Sequence, residues 1–296
     1  MTAPARGAAL RLQGEVGGIV LIVCALFLFS MMDVAAKHLT ANHHPMQVVW
    51  ARFASQCFWA CLLLAPRLPT LLKTDRPGLQ ILRSMFLFGA SFSFFTAVAY
   101  MPLAEAIAIF EIAPLIITAL AFLVLREPVG PRRWAGVAVG FCGAMIIIRP
   151  GGEVFTWVSV LPMIAACCYA SYAIATRFVG DSESPWTSFV YTALFGTAAA
   201  SVAAPFVWTT PTGIDAGIMA TFGILGGIGH FCLILALQRA SASVLAPFTY
   251  VGLVFGTFWG FAAFGELPDR WTVVGASVIV TAGLYVWWRE RVRRGV

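Results

Sequence analysis

Residues 100–136 read YMPLAEAIAIFEIAPLIITALAFLVLREPVGPRRWAG. Between Leu103 and Leu125 the run is almost wholly apolar. As a helix at 1.5 Å per residue it is roughly 34 Å long, enough to cross a hydrocarbon core of about 30 Å. Near its middle stand Glu111 and, three residues on, Pro114. An intramembrane acid is costly and faces a protein interior or a wet cavity, and a proline at that depth leaves a carbonyl for something else to satisfy. The run ends in Arg126-Glu127-Pro128, a basic turn and Trp134, and the second half of the chain repeats this outline.

Composition agrees with a membrane reading. Of 296 residues 60% are hydrophobic and 11% charged, with mean hydropathy +0.87, whereas a soluble domain carries about 25% charge. The apolar runs are helix-length and not the alternating strands of a barrel. Ten spans are expected, at about 17–39, 47–66, 79–100, 103–125, 134–149, 157–178, 185–207, 216–239, 243–264 and 271–288. The polar start lacks a small-residue cleavage site before the first run, so that run reads as a retained span. The net charge of +6 sits in short loops beside the spans, with no aromatic-interleaved basic patch, so no nucleic-acid partner is expected. With the N-terminus cytoplasmic, the inside segments collect Arg67, Lys73, Arg76, Arg83, Arg126, Arg177, Arg239 and both basic tails. Outside fall Lys37, Arg149 and Arg270. Both termini are therefore expected in the cytoplasm of a bacterial inner-membrane protein.

The halves match in register. Shifted by 140, Lys37 falls on Arg177 and Pro45 on Pro185. Shifted by 139, Glu127 falls on Glu266 and Gly136 on Gly275. Five spans per half make the second enter the membrane from the opposite side. The expected architecture is an all-α membrane protein of ten transmembrane helices in two inverted five-helix repeats. Residues 1–16 form a tail, 17–149 the first repeat, 150–288 the second and 289–296 a basic tail.

Two inverted fives, an arginine in span 2 (Trp50-Ala-Arg52-Phe53), and a glutamate followed nine residues on by glycine after spans 4 and 9 resemble the EamA-type drug/metabolite transporters, over roughly residues 17–288. Within that superfamily the length and the aromatic-rich early spans look most like the YddG-type amino-acid exporters. The resemblance implies a midplane substrate cavity lined by spans 1, 3, 4, 6, 8 and 9, alternating access by rocking, and export of amino acids. Nucleosides, S-adenosylmethionine-like solutes and cationic drugs are alternative cargo. Inverted repeats independently place a site at the midplane between the halves.

Glu111 shares a helical face with Ala104, Ala108, Pro114 and Thr118. It either holds a substrate ammonium or a coupling proton, or is a structural acid bonded to a neighbouring helix. His230, within Gly226-Gly227-Ile228-Gly229-His230, reads as an interhelical hydrogen bond or as a relay or substrate contact. Asp33 and Lys37, four apart, read as a self-satisfying pair. Arg52 either binds a carboxylate by its planar fork or snorkels to the outer surface. Tyr169 and Tyr172 share one face of span 6, Phe95 and Tyr100 flank the end of span 3, and Trp50 and Tyr250 complete the candidate substrate contacts. Pro114 and Pro247 read as kinks at non-equivalent positions, and Gly252, Gly256 and Gly260 as a close-packing stripe. His38, His43 and His44 read as solvated loop residues without a further metal ligand. The seven cysteines, all inside apolar runs, read as small buried hydrophobes.

No cofactor and no metal is implied, and the partners expected are a small-molecule substrate and the lipid bilayer, for a protein acting as a monomer. A membrane enzyme needs clustered acids, histidines or a nucleophile at an interface, and a channel needs repeated rings or a filter. Neither pattern stands out.

Overall fold

The computed structural model describes residues 3–126, 130–150, 157–179, 183–240, 245 and 248–294. Among them there is no strand. Eight helices are long and apolar enough to cross a membrane, and two shorter apolar ones, Trp134–Ile148 and Val251–Phe264, make up ten spans. Span 1 is Ala3–Thr40, longer at its start than the sequence suggested, so helix continues into the expected N-terminal tail. Then come span 2 (Pro45–Leu64), span 3 (Pro77–Tyr100), span 4 (Leu103–Phe110 and Ala113–Leu125) and span 5 (Pro131–Ile148). The second half holds span 6 (Leu161–Val179), span 7 (Pro185–Ala203), span 8 (Gly213–Arg239), span 9 (its half-helix Val251–Phe264) and span 10 (Arg270–Arg294). Glu127 and Pro247 lie outside the described residues.

An even number of spans puts both ends on one side, here the terminal side; the opposite side is the far side. Proline and a polar N-cap start the helices after far-side and terminal-side turns alike. Pro45 and Pro185, matched by the repeat, each open a span, with His44 and Ser184 accepting the backbone N–H of Met46 and Trp186. Pro at the first helical position loses no intrahelical hydrogen bond, since that N–H has no partner.

Spans 5 and 10, equivalent in the repeat, pack tightly against each other. Gly143 meets Gly275, Gly140 meets Ala282, and Gly136 meets Ala282 and Val286, so the pair runs antiparallel. Parallel modules would make equivalent spans run the same way; these do not. The other contacts obey the same exchange: span 3 packs on span 6 as span 8 packs on span 1, and span 2 packs on span 7. The modules are inverted.

The inversion extends to backbone detail. Span 4 breaks at Glu111 and Ile112, where Pro114 supplies no N–H and Ile112 and Leu115 form short turns to Ile109 and Ile112. Span 9 has its turn at Tyr250, at a shift of 139 from Glu111, with Leu253 N–H donating to the Tyr250 carbonyl. Leu253 occupies the position of Pro114, so the breaks coincide although the prolines do not. Both spans end in left-handed caps at the same shift, Arg126 (φ 56°) and Gly265 (φ 68°).

Large apolar side chains such as Leu63, Val202 and Phe206 face outward, as expected of lipid-facing positions. Inside, one cluster centres on Phe53, Phe95 and Phe222 and another on Ile109, Ile112 and Ile279.

Candidate functional site

The glycine stripe of span 9 lies on span 4: Gly252 faces Glu111, Gly256 faces Ile107 and Gly260 faces Ala104. Lacking side chains, the stripe lets the two broken spans meet at the midplane. Glu111 is 9% exposed, and its Oε1 lies 3.1 Å from where a side chain on Gly252 would begin. That is the first turn of Val251–Phe264, the positive end of a half-helix dipole, which favours a carboxylate there. Tyr169 and Tyr250 are within electrostatic range of Glu111.

From Glu111 a polar track crosses the interior. Tyr169 packs against Phe110 (centroids 5.5 Å apart) and against Tyr172 (6.0 Å). The Tyr172 hydroxyl lies 3.4 Å from His230 Nε2 and accepts from Arg83 Nη2 at 2.8 Å. The His230 ring sits beside Phe29 and Phe189. His230 feels both Arg52 and Arg83, and Arg52 feels Asp33 and Tyr172. Arg52 does not snorkel. It turns inward, donates to Ser91 Oγ at 2.6 Å and stacks over the rings of Phe53 and Phe95 at 5.4 and 5.5 Å.

The structure thus gathers Glu111, Tyr169, Tyr172, His230 and Arg52 along one interior track, with the buried Phe95 ring against Arg52 and the buried Tyr250 within electrostatic range of Glu111, its hydroxyl turned to Gly283 of span 10. Two candidates fall elsewhere. Tyr100 is 65% exposed at the far-side end of span 3. Trp50 donates to Ser201 Oγ and lines a cleft of about 490 Å³ with Ser201, Ala204, Pro205 and Trp208, between spans 2 and 7. A larger cleft of about 660 Å³ opens between spans 9 and 10, with Ala104 of span 4 in its lining.

Three readings need correction. Lys37 does not pair with Asp33: it reaches across the repeats to Glu266 (2.6 and 2.8 Å) and the Met101 carbonyl (2.9 Å). Glu266 also accepts from Leu103 N–H at 3.1 Å, so this salt bridge ties span 1, the span 3–4 turn and the span 9–10 turn on the far side. His43 is no solvated loop residue. It is 5% exposed, bonded to Thr209 Oγ1 (2.6 Å) and to Asp215 Oδ2 (3.2 Å). Arg83, counted among the loop cations, is 3% exposed inside span 3. Its position within the apolar run, three residues after Gln80 and beside Ser84, was the signal for it.

Two separate stretches, 16–149 and 156–288, each match the EamA-like transporter family model, and they divide where the inverted modules divide. The chain belongs to the EamA-like transporter family. It is a multi-pass membrane transporter of small metabolites and not an enzyme. It is 29% identical to the S-adenosylmethionine uptake transporter of Rickettsia bellii, over 93% of this chain and 94% of that one. To the riboflavin transporter of Rhizobium johnstonii it is 30% identical, over 94% and 92%. To the pseudopaline exporter CntI of Pseudomonas aeruginosa it is 26% identical, over 90% and 94%. A crystal structure with a TM-score of 0.64 and 20% identity, covering 93% of this chain and 97% of that one, shares the fold.

Proposed function

We propose that this transporter carries amphipathic solutes with an α-amino-acid head group and an apolar or ring-shaped tail. The observation that carries this reading is the inward-turned Arg52 guanidinium, seated on the rings of Phe53 and Phe95 and within electrostatic range of Asp33. A carboxylate fits the planar guanidinium, an ammonium fits Asp33 or Glu111, and a ring packs on Tyr169, Tyr172 or Phe110. Export of aromatic and other apolar amino acids is the first form of this reading. S-adenosylmethionine, which unites an amino-acid head with a purine, is the second, favoured by the relatives of that name. The terminal side is the cytoplasmic side of a bacterial inner membrane, as the arginine distribution indicates. One copy suffices, since the track is built from spans of a single chain.

The test is thermal stabilisation of the purified protein by phenylalanine, S-adenosylmethionine, riboflavin and phenethylamine, because a ligand of the folded state raises the melting temperature by mass action. Stabilisation by phenylalanine or S-adenosylmethionine but not by phenethylamine, which lacks the carboxylate, supports the head-group reading. Stabilisation by riboflavin alone overturns it.

A further inference from the structure

Arg83 is a buried cation whose hydrogen-bond acceptors among the described residues are all neutral. Its Nε donates to Thr176 Oγ1 at 3.2 Å. Its Nη1 donates to the Ser188 carbonyl at 2.9 Å and, more weakly, to Gln80 Oε1 and Thr192 Oγ1, and its Nη2 donates to Tyr172 OH. The guanidinium carbon also lies 4.8 Å from the Tyr172 ring centroid. A buried guanidinium is expensive inside a membrane and is ordinarily repaid by a carboxylate. No carboxylate among the described residues forms an ion pair with it. The charged and titratable groups near it include Arg52, His230 and Tyr172, and Glu183 stands one residue removed, its carboxylate accepting from Gln80 Nε2 at 2.6 Å.

Depth supplies the second observation. Arg52 is the eighth residue of span 2, which starts on the far side, and Arg83 the seventh of span 3, which starts on the terminal side. Each therefore lies roughly 10 Å inside its own surface, at 1.5 Å per residue. Ser91, which holds Arg52, and Arg83 stand on the same helix, roughly 12 Å apart in depth. The Tyr172 hydroxyl links Arg83 to His230, and His230 lies within electrostatic range of both guanidinium groups.

We propose that Arg83 is a second anion station: a substrate carboxylate leaves Arg52 and is taken up by Arg83, displacing the Tyr172 hydroxyl, on its way between the two sides. The step moves no covalent bond. Tyr172 is the gate residue of this second station, because its hydroxyl accepts from Arg83 and lies within 3.4 Å of His230 Nε2. The inference rests on the amino-acid head group of the proposed function and adds a place for its carboxylate in the half of the membrane nearer the cytoplasm.

The experiment measures the half-saturation concentration for phenylalanine separately at the two faces of oriented proteoliposomes, for wild type, Arg83→Lys and Arg52→Lys. Lysine keeps the charge and loses the fork. The expected result is a rise of about tenfold at the cytoplasmic face for Arg83→Lys and at the external face for Arg52→Lys, as loss of one charge-assisted contact implies. Tyr172→Phe, which removes the competing hydroxyl and keeps the ring, lowers the cytoplasmic value. Equal changes at both faces for Arg83→Lys, or none, overturn the station and leave the amino-acid reading intact. Failure of the wild type to move phenylalanine or S-adenosylmethionine overturns both, since no head-group carboxylate then reaches Arg83. If Arg83→Lys does not fold, an unchanged cytoplasmic value in Tyr172→Phe overturns the station alone.

Discussion

Lys37 Nζ lies 2.6 Å and 2.8 Å from the two carboxylate oxygens of Glu266, 229 residues further along the chain. The pair joins the first repeat to the second on the far side. Both side chains are largely shielded, at 12% and 27% exposure, so the bond is worth more than a surface ion pair. Lys37→Met should weaken far-side closure by about 1–3 kcal/mol. A cysteine placed at Phe264, whose ring lies under Lys37, should then react faster with a membrane-impermeant maleimide in a cysteine-free background. Unchanged labelling would show that the pair does not hold the seam.

The antiparallel seam of spans 5 and 10 gives a packing prediction. A methyl group on Gly275 would stand 2.5 Å from the Gly143 carbonyl oxygen and against Ile147. Backbone cannot move as a side chain does, so Gly275→Ala should cost about 1–3 kcal/mol of stability in detergent. Gly217→Ala, with nothing within 4 Å of the new methyl, should gain about 0.5–1 kcal/mol of helix propensity. Denaturant melts of the two variants read the contrast.

Beside Glu111 the glycine matters for a different reason. A methyl on Gly252 would stand 3.1 Å from Glu111 Oε1 and push the carboxylate aside. Gly252→Ala and Glu111→Gln should each slow transport several-fold while folding survives, and Glu111→Gln should also change its pH dependence between pH 5 and 8. The double variant should be little slower than either single one, because both act on one group. Fully multiplicative losses in vesicle uptake would separate Gly252 from Glu111.

Between the spans, Glu183 predicts a pH effect on stability. Burial works to raise its carboxyl pKa, but hydrogen bonds from Thr74, Gln80 and the backbone of Arg76 and Asp75 outweigh it and hold the group below its ordinary 4.5. A depressed carboxyl contributes stability that is complete above 4.5 and is lost as pH falls through the lowered value. Glu183→Gln should therefore melt about 1–2 °C below wild type at neutral pH, the difference shrinking in acid. A difference that persists unchanged in acid would mean that the charge is not its source.

The architecture was legible because membrane helices announce themselves by length and apolar content, and because inverted repeats leave paired signals such as Pro45 with Pro185. The coincident breaks at Glu111 and Tyr250 were hidden: only one of them is marked by its own proline. Long-range partners were hidden too. Spacing suggested Asp33 for Lys37, but a neighbour four residues away competes with any carboxylate that the fold brings closer, and Glu266 is brought closer. Arg83 illustrates the limit of counting loop charges, since near a span's end one turn decides whether a guanidinium meets water or the interior. Trp50 and Arg52 stand two residues apart on one helix, yet one faces the cleft beside span 7 and the other the track.

If two inverted modules open one midplane track to either side in turn, proteoliposomes preloaded with unlabelled phenylalanine show counterflow: saturable uptake of labelled phenylalanine with a transient accumulation above equilibrium. Linear, non-saturating flux that ignores the preloaded solute would instead mark a pore and rule out alternation.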